Sequence, residues 1–272
     1  MLNRETIKQW RQQVPWREAQ QVEQDLLLEA VLHTWVKAEE ALDNFVLIGG
    51  TCLHKFHIDK QQGRYSEDID VTYTGDIKRL WDVLHSIRDC LGDLDFEEIE
   101  VIPPDSARFP KLLLYFTNIN GGKRKIKFEI NTGLADVLRG EQVMLPLYTD
   151  SDWMRQQSLI PCAPLPSIAA MKVLALGDRV KPRDFYDLWV MREQLGVLHS
   201  DLEWWFRRMS PSDLKLPRRH RAVKRRLHKG VDWGELENTL PQGTMLDKTI
   251  KADMGNLALN TLHRLQPQNT AQ

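Results

Sequence analysis

The chain has 272 residues, 42% hydrophobic and 28% charged, with a formal net charge of −1. That composition supports a buried core in one large domain or two lobes sharing a cleft, makes disorder unexpected, and leaves any nucleic-acid argument to local charge. Cys52, Cys90 and Cys162 show no metal-ligand or disulfide spacing, and no apolar run approaches the roughly 18 residues of a membrane span, so a soluble, cytoplasmic protein with core cysteines is expected.

Residues 20–43 place Val22, Leu26, Leu27, Ala30, Val31, Trp35, Ala38 and Leu42 at steps of three and four, which predicts an amphipathic helix with one buried stripe. Phe45-Val46-Leu47-Ile48 predicts a buried strand. Gly49-Gly50 breaks it, and Thr51 can cap a short helix through about His57. Ile69–Tyr73 resumes as a strand, followed by a helix at about 76–92. Strands are expected near 96–102, 110–118 and 123–131, the last two joined by a turn at Asn120-Gly121-Gly122. Beyond about residue 165 the pattern is helical: Ile168–Leu176, a helix opened by Pro182, and the stretches 200–230 and 245–265. The expectation is a mixed α/β (α+β) lobe over 1–162 and a helical lobe over 163–272, with a loose tail in the last seven residues.

In an extended strand, side chains at i and i+2 share a face, so Asp68, Asp70 and Thr72 point together. Two neighbouring carboxylates repel unless a cation lies between them, and a hard divalent ion with oxygen ligands answers that need. An exposed strand edge would accommodate the same aspartates. Gly49-Gly50-Thr51 follows a buried strand and opens a helix, so its free backbone N–H groups and dipole favour an anion such as a triphosphate.

A GG turn followed by Ser66-Glu67-Asp68-Ile69-Asp70 resembles the signature of the polymerase-beta-type nucleotidyltransferase superfamily. The stretches Val46–Leu53 and Arg64–Asp70 look like the AbiEii/AbiGii toxin family. A second block is similar to that family's helical motif: Lys172-Val173-Leu174-Ala175-Leu176, Arg179 and Arg183-Asp184-Phe185-Tyr186-Asp187-Leu188. The resemblance covers about residues 40–195. It implies a polymerase-beta-like lobe in which Asp68, Asp70 and a third carboxylate hold magnesium or manganese. Glu129 is the candidate for the third, although the family more often has an aspartate there; paired with a cross-strand lysine, it would instead be a surface residue. Gly49, Gly50, Thr51, Arg64, Ser66, Lys172 and Arg179 are the expected nucleotide-binding residues, with Lys172 and Arg179 on one helical face. Asp184 is expected to act facing Lys172 across the cleft, and Asp187 to be structural, as a dipole partner or in a local pair with Arg183.

The implied activity is transfer of a nucleoside monophosphate from an NTP to a hydroxyl, with an RNA acceptor, the 3′ end of tRNA, in a toxin–antitoxin or phage-defence module with a cognate antitoxin. The rival readings are transfer to a protein or small-molecule hydroxyl, and a non-catalytic GTP- or ATP-binding module. Residues 201–229 hold ten basic against three acidic residues, a local charge of +7. Such a cluster suits a phosphate backbone or a solvated helix equally, and Trp204-Trp205 beside it could stack on bases. His54 and His57 are expected to pack or face solvent.

Overall fold

A computed structural model describes residues 2–59, 61–103, 109–211 and 215–266. Asp213 and the C-terminal tail from 267 lie outside the described residues. The chain divides into two compact units, Met1–Pro164 with Leu240–Gln242, and Leu165–Thr239 with Gly243–Gln272.

The first unit runs α1 (Arg4–Trp10), α2 (Ala19–Trp35), α3 (Ala41–Asn44), β1 (Phe45–Ile48), α4 (Gly49–Cys52), β2 (Ile69–Tyr73), α5 (Leu80–Leu91), β3 (Glu98–Ile102), β4 (Lys111–Thr117), β5 (Lys123–Asn131), α6 (Ala135–Leu138), β6 (Val143–Asp150) and β7 (Arg155–Cys162). Its strands form one mixed sheet in the order β3-β4-β5-β2-β1-β7-β6. β1 runs antiparallel to β2 and parallel to β7, and β2 runs parallel to β5. All four residues of β1 are buried, as its uninterrupted apolar run requires.

The β4–β5 hairpin forms as predicted, closing at Thr117 opposite Lys123. The β6–β7 hairpin lies in a stretch with no predicted element. β6 is an edge strand, which is where a proline such as Pro146 is tolerated.

Helix α2 departs from the expectation of a single apolar stripe. Glu23, Gln24, Asp25, Glu29, His33 and Thr34 are buried alongside Val22, Leu26 and Val31. Burial on this scale needs partners for the polar groups, and they are present. The Lys55 ammonium donates to Asp25 at 2.7 Å and to Glu29 at 3.2 Å. Trp10 Nε1 donates to Asp25 at 3.0 Å, and the Ile119 N–H donates to Glu23. Burial alone would lower the Lys55 pKa, but the two carboxylates hold it above its ordinary value.

The second unit is helical among its described residues: α7 (Leu165–Arg179), α8 (Pro182–Trp189), α9 (His199–Met209), α10 (Leu216–Lys229), α11 (Gly234–Glu237) and α12 (Lys248–Arg264). Pro182 opens α8 at its first turn, as predicted. No helix among the described residues is long and apolar enough to cross a membrane.

Candidate active site

The sheet carries a row of matched positions. Ile48 of β1 stands opposite Asp70 of β2, Asp70 stands beside Glu129 of β5, and Glu129 stands opposite Lys111 of β4. Asp70 and Glu129 therefore lie side by side on neighbouring parallel strands. One step along, Lys127 Nζ reaches Asp68 at 3.1 Å, while Lys111 Nζ reaches Glu129 at 2.9 Å. The Lys127 ammonium is held above its ordinary pKa, mainly by the charge of Asp68.

The chain leaves this row through the glycine turn. Gly49 has φ +76°, in the left-handed region that favours glycine. A β-carbon there would stand 2.6 Å from Asp70 Oδ2, and one on Gly50 would stand 2.8 Å from both Arg64 Nη2 and Ser66 Oγ. Gly49, Gly50, Arg64, Ser66 and Asp70 are thus brought together, and the absence of side chains at 49 and 50 is what lets them meet.

The helix starts at Gly49 itself and continues through a π-helical turn, Leu53–His57. This corrects the cap expected at Thr51, which lies inside the helix and donates its hydroxyl to the backbone carbonyl of Asp68. The same acidic loop is held from the other side by Gln24, whose amide donates to the Glu67 carbonyl at 2.9 Å. Lys55 ties the helix after the turn to α2 through Asp25 and Glu29. Gln24, Asp25, Glu29 and Lys55 escaped the sequence reading, because buried acids on a helix look like a solvated face.

His54 Nδ1 accepts the Arg64 backbone N–H at 3.1 Å, and His57 Nε2 lies 3.2 Å from the Ala163 carbonyl. Burial alone would raise the Cys52 thiol pKa, but hydrogen bonds with Cys162 and His57 bring it down to about 6.

In the second unit, Lys172 and Asp184 lie on the adjacent helices α7 and α8, and so belong to one unit. Lys172 Nζ is 2.6 Å from Asp187 and 3.4 Å from Asp184, and Arg179 grips Asp184 with two nitrogens, each at 2.8 Å. Both aspartates are fully buried and Lys172 nearly so, whereas the Arg179 side chain is 45% exposed. Burial would raise the Asp184 pKa, but Lys172 and Arg179 hold it below the usual carboxylate value. Asp187 thus takes Lys172 as an ion partner, a long-range pairing that its spacing from Arg183 did not suggest.

Asp68, Asp70 and Glu129 offer the hard oxygen donors that a divalent cation takes. Lysines supply the counter-charge at two of the three. Among the described residues no group of three or more His, Cys, Asp and Glu side chains is arranged to hold a metal ion.

Residues 31–253 match the sequence model of the family described as nucleotidyl transferase AbiEii toxin, type IV TA system. No curated protein matches. Among solved structures, the nucleotidyltransferase toxin MenT4 from Mycobacterium tuberculosis H37Rv superposes with a TM-score of 0.56 at 13% identity, covering 99% of this chain and 91% of that one. This likeness shows a shared fold. An antigenic nucleotidyltransferase-like protein from Paracoccidioides brasiliensis gives a TM-score of 0.40 at 15% identity, with 71% of this chain and 91% of that chain covered.

Proposed function

Because the chain belongs to the AbiEii family of nucleotidyltransferase toxins of type IV toxin–antitoxin systems, we propose that it moves a nucleoside monophosphate from an NTP to the 3′-terminal hydroxyl of an RNA, tRNA being the acceptor. It is a nucleotidyltransferase, and family membership implies an NTP substrate and a cognate antitoxin. The observation that carries the reading is the placing of Asp70 against a side-chain-free glycine turn and beside Glu129.

Asp68, Asp70 and Glu129 would hold magnesium or manganese, taking over from Lys127 and Lys111. The bound cation would supply charge neutralisation at the phosphates and acidify the attacking hydroxyl. The backbone at Gly49-Gly50, with Thr51 in the same turn and with Arg64 and Ser66 beside it, would receive the triphosphate. The acceptor oxygen forms a bond to the α-phosphorus, the bond from that phosphorus to the α–β bridging oxygen breaks, and pyrophosphate departs with the electron pair. The hydroxyl proton passes to a carboxylate of the row, with Glu129 as the assigned base. Lys172 and Arg179 are assigned to the developing phosphate charge, Arg179 being the half-exposed member of the pair. Asp184 holds both cations in place.

The test is incubation of the protein with magnesium or manganese, each labelled NTP in turn, and total cellular RNA. Label in tRNA supports the proposal. Label in protein, or nucleotide retained without transfer, overturns the RNA acceptor. Transfer that survives in Asp70→Ala overturns the assigned site.

A further inference from the structure

Helix α10 is held on one side and unanswered on the other. Its inward residues are Leu216, Arg219 and Val223. The aliphatic stem of Arg219 crosses α7 at Gly177, where any β-carbon would clash with it at 2.3 Å. Its guanidinium donates to the Leu174 carbonyl at 3.1 Å and pairs with Asp178 at 3.3 Å. Leu227 enters a second notch, at Gly255 of α12. The helix is therefore fixed in rotation.

The outward side carries Arg218, Arg221, Lys224, Arg225, Arg226 and Lys229, all exposed. The helix contains no acidic residue, and among the described residues none of these six makes an ion pair or hydrogen bond. Arg218, Arg221, Arg225 and Lys229 recur at steps of three and four, so they form one row about 17 Å long. Like charges at that spacing repel one another within the helix. The packing at Gly177 and Gly255 holds them together nonetheless.

We infer that this face of α10 is a docking strip for the phosphate backbone of the RNA acceptor. The row is longer and more highly charged than a single triphosphate can match, and a backbone of evenly repeating charge answers it. Arginine predominates, which suits bidentate contact with phosphate. The exposed arc has no large apolar side chain between its cations, whereas a helix that lies on a lipid surface needs an apolar face to insert. The strip deepens the RNA-acceptor reading above and rests on it.

The experiment compares the full-length wild type with a triple variant, Arg221→Gln, Lys224→Gln and Arg225→Gln, with retained helicity checked by circular dichroism. Binding of fluorescently labelled total tRNA is followed by anisotropy across a salt series. The loss of three phosphate contacts flattens the slope of log K against log salt by about 2 to 3. It weakens affinity at about 0.15 M salt by at least about tenfold. The tRNA KM should rise in parallel, with the NTP KM and the kcat at saturating tRNA unchanged. Equal affinity and slope in the two proteins overturn the strip. So does a variant that loses binding to phosphatidylglycerol vesicles while keeping tRNA. If the wild type transfers nothing to RNA, the acceptor reading falls, and the anisotropy arm alone decides whether the strip binds nucleic acid.

Discussion

Gly49 and Asp70 share one space: Oδ2 of Asp70 lies 2.6 Å from where a β-carbon on Gly49 would stand. Gly49→Ala therefore meets two obstacles, the carboxylate and a left-handed φ of +76°, which costs a non-glycine residue about 1–2 kcal/mol. Urea denaturation should show at least that loss. Nucleotidyl transfer should fall further than stability alone explains, because Asp70 must turn away. Wild-type activity in Gly49→Ala would show that the carboxylate is not used in this position.

Lys127 and a divalent cation compete for Asp68 in the proposed site. Lys127→Gln then removes the resident counter-charge, and manganese should bind several-fold more tightly in titration calorimetry. Weaker binding in the variant would instead make Lys127 part of the ligand-binding surface.

The Lys55 ammonium lies between the buried carboxylates of Asp25 and Glu29. Lys55→Met strands two negative charges, a loss of about 3–5 kcal/mol that thermal or urea unfolding would register. The pH dependence follows from the raised pKa in the folded state. The contribution is fully present below the unfolded value of 10.5 and fades as pH rises through the higher folded value. Alkaline unfolding should therefore be blunted in Lys55→Met, which has already lost that ion pair.

Asp184 works with the opposite sign. Its folded pKa lies below the ordinary value of 3.8, so its stabilisation is present above about that pH and is lost as pH falls through the depressed value. Asp184→Asn leaves Arg179 without its carboxylate and Lys172 with Asp187 alone. The expected loss is about 3–5 kcal/mol at neutral pH, shrinking toward pH 3. An equal deficit at pH 7 and pH 3 would refute this ionic role.

The strands that bear the row were legible because their signals are local. β1 is one apolar run, β2 alternates, and the Asn120-Gly121-Gly122 turn sets the hairpin register that puts Glu129 opposite Lys111. What stayed hidden depends on partners distant in the chain. Nothing local marks Glu29 or His33 as buried: Lys55, Thr149 and Ser158 meet them from far along the chain, and periodicity alone cannot separate a solvated acid from a neutralised one. The β6–β7 hairpin was missed because Met144, Tyr148 and Leu159 are exposed, and Pro146 weakens the strand pattern. Thr51 was misplaced because the helix starts at Gly49, three residues before the first residue that a cap at Thr51 would allow.

The polar contacts of α2 also fix the direction of a proton chain. The Thr149 hydroxyl gives its single hydrogen to the Glu29 carboxylate, which can only accept. Its oxygen, 2.9 Å from His33 Nε2, must then receive a hydrogen from the ring. A neutral His33 is thereby restricted to the Nε2–H tautomer, and Nδ1 accepts from the Ser158 hydroxyl at 2.9 Å. Helix and hairpin are joined by hydrogen bonds that point one way, from Ser158 through His33 and Thr149 to Glu29. Glutamine in place of Glu29 could present its amide nitrogen to Thr149 and reverse that order, a change that the ring nitrogen shifts of His33 would report.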